Sequence, residues 1–175
     1  MTSREKPTSE PTFNDGIMFS SGNSLITYGG FYPPWNASAS GARQPNSSVS
    51  ATRSFNISAG QWSAIDGLPG LAGGAGVSIP GTGRAWYLGG VQDNRTTQGL
   101  EGRLAVKGML EFSGTSVKNL TTPFGGLLGA MMAYIPKVGK EGILVKIGGQ
   151  TYVPGIVSSG SGMVLPPFNP PSSPA

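Results

Sequence analysis

A Gly-Gly pair that closes a short apolar segment occurs three times in this chain at nearly equal intervals. The segments are 25–30, 85–90 and 144–149, and the second glycine of each pair falls at position 30, 90 or 149. The intervals are therefore 60 and 59 residues. Such regular spacing indicates repeated copies of one supersecondary unit.

Two further apolar segments accompany the Gly pairs. Phe55 and Trp62 lie seven positions apart around a Ser-Ala-Gly turn, and Leu110 and Val117 have the same spacing. Apolar residues on both sides of a small turn are typical of a β-hairpin. Another apolar segment precedes each pair, at 16–19, 76–79 and 130–135. The sequence therefore predicts about four short strands per unit and no helix, since the best helical candidate, 127–134, aligns with a predicted strand.

This arrangement resembles the kelch repeat of β-propellers, whose blades are four short antiparallel strands. Phe55 stands where the family usually has Tyr, and Trp62 falls on the family's Trp. The resemblance implies an all-β fold of about two and a half four-stranded antiparallel blades, an incomplete propeller. In detail, the chain looks like the long-loop, glycosylated kelch-like proteins of filamentous fungi. The repeat motif comprises Gly29, Gly30, Phe55, Trp62, Gly89, Gly90, Leu110, Val117, Gly148 and Gly149.

The chain divides into three parts by composition. Residues 1–12 are predicted to be a disordered N-terminal segment, 13–157 the repeat region, and 158–175 a disordered tail rich in Ser and Pro. Within the repeat region, the units lie near 13–69, 73–123 and 128–157. A propeller closes with about 4–8 blades. We therefore interpret the chain as a fragment of a larger kelch-like protein; the alternative is a small complete protein that closes by self-association.

The composition excludes most catalytic chemistry. The chain contains no His and no Cys, which excludes disulfides, zinc sites of the Cys/His kind and His-based acid–base relays. The acidic residues show no paired pattern, so no catalytic, cofactor-binding or metal residue is predicted. The net charge is +4, with Lys and Arg scattered rather than clustered. This scatter predicts no nucleic-acid partner.

Five of the eight Asn residues fit the N-glycosylation sequon, an excess for this composition. They predict a glycoprotein surface formed in the secretory pathway. The N-terminus has no apolar region of the signal-peptide kind, and the longest mostly apolar stretch is shorter than the ~20 residues of a membrane span. We therefore expect an extracellular or membrane-associated full-length protein, with neither a signal peptide nor a transmembrane segment in this chain. The predicted glycosylation sites are Asn36, Asn46, Asn56, Asn94 and Asn119.

The favoured function is a non-enzymatic interaction scaffold without a cofactor. Its expected partners are an unknown protein or glycan, together with missing blades in the same chain or a second copy. One alternative is a non-catalytic portion of a propeller enzyme such as a carbohydrate-active oxidase. The resemblance implies a copper-radical site in such oxidases, and that site needs His and a Tyr–Cys crosslink, which this chain lacks. Another alternative is a truncated gene product that does not fold, because open blade faces expose apolar surface.

Overall fold

The computed structural model describes residues 13–31, 52–97, 100–123 and 126–151. These residues form twelve β-strands and no helix. The strands are β1 (Ile17–Ser21), β2 (Ser24–Tyr28), β3 (Thr52–Asn56), β4 (Gln61–Ala64), β5 (Ala75–Ile79), β6 (Arg84–Leu88), β7 (Val91–Gln92), β8 (Leu104–Ala105), β9 (Met109–Ser113), β10 (Ser116–Leu120), β11 (Leu127–Ile135) and β12 (Ile143–Thr151).

Three successive antiparallel sheets follow the three sequence units. The first has the order β1-β2-β3-β4, the second β10-β9-β6-β5, and the third consists of β11 and β12. A short ribbon of β7 and β8 extends from the second sheet. None of these sheets closes on itself within the described ranges. The predicted all-β, incomplete propeller of four-stranded antiparallel blades is therefore confirmed, and 127–134 lies in a strand as predicted.

The Gly pairs occupy equivalent places at or near the ends of β2, β6 and β12. All six glycines have a left-handed backbone, which residues with a Cβ rarely adopt. Space is also restricted there: a Cβ on Gly89 would lie 2.8 Å from the carbonyl oxygen of Leu127 in the next sheet. Glycine thus allows close approach between neighbouring sheets.

Backbone hydrogen bonds repeat from one sheet to the next at the Gly pairs. The Gly30 N–H donates to the carbonyl of Leu71 at 2.7 Å, and the Gly90 N–H donates to the carbonyl of Leu127 at 2.8 Å. Both bonds run from one sheet to the chain segment that enters the following sheet. The same contact therefore joins the first sheet to the second and the second to the third.

A second series of bonds runs in the opposite direction. The Gly73 N–H donates to the Asp15 carbonyl at 3.2 Å, and the Gly129 N–H donates to the Gly73 carbonyl at 2.8 Å. Asp15 and Gly73 lie just before β1 and β5, and Gly129 is the third residue of β11. All three have positive φ, between 62° and 68°. Each junction between sheets is therefore held by a reciprocal pair of backbone bonds.

Aromatic side chains fill the space between the first and second sheets. Phe112 is 1% exposed, and its ring centroid lies 5.0 Å from that of Phe19 and 5.1 Å from that of Tyr28. Tyr28 also meets Tyr87 edge-on at 4.9 Å. The Tyr28 hydroxyl donates to the carbonyl of Pro69 at 2.9 Å, which satisfies its polar end inside the core.

The hairpin registers correct one alignment made from the sequence. Phe55 pairs with Trp62 in the first sheet, and Phe112 pairs with Val117 in the second. When residues of β2 and β6 are counted back from their Gly pairs, β3 and β9 pair with equivalent positions of these strands. Phe112, and not Leu110, therefore occupies the position in the second sheet that Phe55 occupies in the first. The alignment of Leu110 is wrong by two residues because the β3–β4 turn spans four residues, 57–60, whereas the β9–β10 turn spans two, 114–115.

The first and third sheets each keep one apolar face that no described residue covers. Phe55 and Trp62 share a face of the first sheet that points away from the core, with ring centroids 5.1 Å apart. Met18 on that face is 67% exposed. On the third sheet, the exposed apolar side chains are Met131, Ile135, Ile143 and Ile147. The open face of the first sheet is equivalent to the face by which the second sheet contacts the first. The open face of the third sheet is equivalent to the face by which the first sheet contacts the second.

Candidate functional site

A cavity of about 490 Å³ opens at the end of the sheets that carries the Gly pairs. All three sheets contribute to it, through the segments that enter β1, β5 and β11. The lining includes Asp15, Phe31, Gly73, Arg95, Arg103 and Gly129. The cavity thus lies where the innermost strands of the three sheets converge.

The ribbon of β7 and β8 brings a charged loop to the cavity. Asp93 follows β7, and the hydroxyl of Thr96 accepts from its N–H at 2.9 Å and donates to its carbonyl at 3.0 Å. The Thr96 and Thr97 N–H groups also donate to that carbonyl, both at 2.9 Å. These bonds form a tight local turn, typical of an Asp followed by Thr. The turn fixes the direction in which Arg95 leaves the backbone.

The Asp93 carboxylate holds two guanidinium groups. One oxygen accepts from Arg95 at 3.2 Å and from Arg103 at 3.0 Å, and the other accepts from the Arg95 backbone N–H at 2.8 Å. Burial alone would raise the pKa of Asp93, but these hydrogen bonds and the Arg95 charge outweigh it and lower the pKa. Asp93 is therefore an ionised anchor for both arginines.

Both guanidinium groups remain accessible from the cavity. The Arg95 and Arg103 side chains are 42% and 38% exposed, whereas the Asp93 side chain is 11% exposed. The Arg95 guanidinium carbon also lies 4.0 Å from the centroid of the Phe31 ring, a cation–π contact. Because Asp93 and Phe31 hold them, the guanidinium groups have lost conformational freedom before any ligand arrives.

The described part of the chain contains no group of three or more His, Cys, Asp or Glu residues that could hold a metal ion. The titratable groups that line the cavity are Asp15, Arg95 and Arg103. Such groups can bind charged and hydroxylated ligands through hydrogen bonds.

The predicted site residues are spread over several parts of the structure. Asn56, Asn94 and Asn119 are exposed, and Asn94 lies in the loop beside the cavity. Asn36 and Asn46 lie outside the described residues, as do segments 1–12 and 158–175. The glycosylation sites and the domain boundaries stay predictions.

The cavity itself was not predicted from the sequence. Asp93, Arg95 and Arg103 look like scattered surface charges in the sequence, because no basic cluster marks them. One usable signal was present: four charged residues lie within the eleven residues 93–103, shortly after a Gly-pair strand, in a chain with only 11% charged residues.

Antiparallel sheets of four strands, joined through left-handed glycines at their inner ends, define an incomplete β-propeller. The chain is 30% identical to a Kelch repeat-containing protein of Arthroderma benhamiae over 81% of its own length. It spans about a quarter of that relative, 27% of its length. No family model matches the chain. The relative and the four-stranded sheets together confirm the prediction of a kelch-repeat protein.

Among the described residues there is no helix whose length and apolar character would let it cross a bilayer.

Proposed function

We propose that this chain is a non-enzymatic β-propeller scaffold that binds a protein or a glycan at the face carrying the Gly pairs. The observation that carries this proposal is the cavity of about 490 Å³ formed by all three sheets. Its polar side chains are anchored arginines and a carboxylate, which suit recognition by hydrogen bonds. The kelch-repeat relative supports a scaffold of this kind.

We also infer that these sheets belong to a larger secreted or membrane-anchored glycoprotein. The five sequons support passage through the secretory pathway. The two open apolar sheet faces support further blades, in the same chain or in a second copy, because such faces are normally covered. The alternatives, a portion of a propeller enzyme and a product that does not fold, stay untested.

Site-directed labelling tests the position of the binding face. The chain has no Cys, so a single Thr97→Cys change beside the cavity can carry a bulky maleimide label. Thr115→Cys, in the turn at the opposite end of the second sheet, is the matched control. Both residues are exposed. Ligands are first found by screening the unlabelled chain on glycan and peptide arrays.

The expected result is that the label at position 97 blocks binding and the label at position 115 leaves it unchanged. The proposed binding face would be contradicted if only the label at position 115 blocked ligand binding, or if neither label affected it. Enzymatic removal of N-glycans from the native protein tests the secretory inference, since an unchanged electrophoretic mass would contradict it.

A further inference from the structure

We infer that the cavity binds a sugar acid, a hydroxylated ring that carries one carboxylate, such as a uronic acid residue of an acidic polysaccharide. This inference rests on the proposed function, because it assigns a ligand class to the same face. It is carried by the combination of two anchored guanidinium groups with one carboxylate in a cavity lined by all three sheets.

The two arginines supply the recognition of the ligand carboxylate. Arg95 donates to Asp93 through one terminal nitrogen, and Arg103 through Nε and one terminal nitrogen. A guanidinium has five N–H donors, and within the described ranges the remaining donors of both groups meet no acceptor. Two guanidinium groups share one Asp93 charge, so this cluster keeps a net positive charge. A ligand carboxylate can accept hydrogen bonds from these exposed donors in place of solvent and balance the positive charge of the cluster.

Asp15 supplies the recognition of hydroxyl groups. It is exposed and lines the same cavity from the first sheet, just before β1. A carboxylate accepts hydrogen bonds but cannot donate them when ionised. Sugar hydroxyls are donors as well as acceptors, so a sugar ring can satisfy Asp15 while its carboxylate meets the arginines. The volume of about 490 Å³ accommodates one or two sugar rings.

The charge distribution favours a sugar acid over an acidic peptide. A peptide with several carboxylates would place negative charge near Asp15 as well as near the arginines, and like charges at close range repel. A neutral sugar, in turn, would leave the guanidinium groups without a charged acceptor. A ligand with a single carboxylate and several hydroxyls matches both sides of the cavity.

The test measures binding of short oligogalacturonides to the whole 175-residue chain by calorimetry. Neutral galacto-oligosaccharides and a Glu-rich peptide of similar size are the comparison ligands. The first variant is Arg103→Gln. The matched control is Arg84→Gln, because Arg84 is also an exposed arginine that pairs with an acid, Glu111 at 2.7 Å, and also lies over an aromatic ring. Arg84 is not among the residues that line the cavity.

A second variant keeps the test valid if Arg103→Gln perturbs folding by leaving Asp93 with one guanidinium. Asp15→Asn changes no ion pair among the described residues, and Asn tolerates the φ of 62° at this position. Thermal unfolding of every variant shows whether it is folded. We expect Arg103→Gln to weaken oligogalacturonide binding by roughly tenfold or more, Asp15→Asn to weaken it measurably, and Arg84→Gln to leave it unchanged.

Equal binding of the acidic and neutral sugars would overturn the inference, as would equal losses in Arg103→Gln and Arg84→Gln. Binding of the Glu-rich peptide in place of the sugar acid would overturn the sugar-acid assignment and leave the scaffold function standing. The labelling experiment separates the two proposals: a binding face blocked at Thr97 for another ligand contradicts only the sugar acid.

Discussion

The stacking of the first two sheets can be tested by one pair of Phe→Ala changes. Phe112 and Phe55 occupy the same register position in successive sheets. Phe112 is 1% exposed and packs against Phe19 and Tyr28 of the preceding sheet. Phe55 is half-buried and faces away from the core, against Trp62 of its own sheet. The two changes therefore remove the same side chain from a covered face and from an open one.

The expected losses of stability differ by a measurable amount. Removing a fully buried Phe side chain costs about 3–5 kcal/mol, because a cavity remains in the core. Removing the half-buried Phe55 costs about 1–2 kcal/mol, from partial burial and one aromatic pair. The difference is about 2–3 kcal/mol, or roughly 4–12 °C in Tm for a chain of this size.

Thermal and chemical unfolding of the two variants, followed by circular dichroism, measures this difference. A Phe112→Ala variant that loses no more stability than Phe55→Ala would refute the stacking of the second sheet on the first. A large loss for both would show instead that another blade or a second copy covers the face of Phe55 in solution. Near-ultraviolet circular dichroism provides an independent signal, because the rings of Tyr28 and Tyr87 pack against each other in the same interface.

Three further predictions concern backbone and charge. Gly89→Ala should cost about 2–5 kcal/mol in chemical unfolding, because its Cβ would meet the next sheet; the control Gly102→Ala has equally positive φ but open space and should cost about 1–2 kcal/mol. Burial raises the pKa of Tyr87 to about 12, so stability should be retained below pH 10 and fall as pH rises toward 12; unfolding that is independent of pH in that range would contradict this. The pKa of Asp93 is lowered, so its contribution should be present above the ordinary carboxyl pKa and lost as pH falls through the lowered value. Asp93→Asn should lack this loss in acid unfolding curves, and an acid response like that of the original chain would count against the anchor role.

The repeat could be predicted from sequence because glycine leaves a clear signal where backbone geometry demands it. The pairs at 29–30, 89–90 and 148–149 all have positive φ, a backbone conformation that glycine adopts more easily than other residues. The hairpin alignment failed at Leu110 for the opposite reason. Turn length is set by local hydrogen bonding. When a turn is shorter by two residues, the cross-strand partner moves by two positions but stays on the same side of the sheet, so the sequence pattern does not reveal the change.

The cavity could not be predicted because its parts are distant in sequence. Asp15 and Arg103 come from different units, and the sheets bring them to one cavity only after stacking. In the second and third units, glycine marks the position of positive φ, at Gly73 and Gly129. The first unit has Asp15 there, with a φ of 62°, so the glycine signal is absent. Asp15 is the non-glycine residue in this series, which gives the inner end of the first sheet its side chain.

The reciprocal backbone bonds between sheets give the stack a polarity. At each junction, the Gly-pair N–H donates forward and the segment that enters the next sheet donates backward, as at Gly30 and Gly73. The leading and trailing faces are therefore chemically different and cannot substitute for one another. Two copies that met by like faces across a two-fold axis could not form these bonds. Any assembly that extends this pattern must be head-to-tail, and head-to-tail contacts end only when the ring closes.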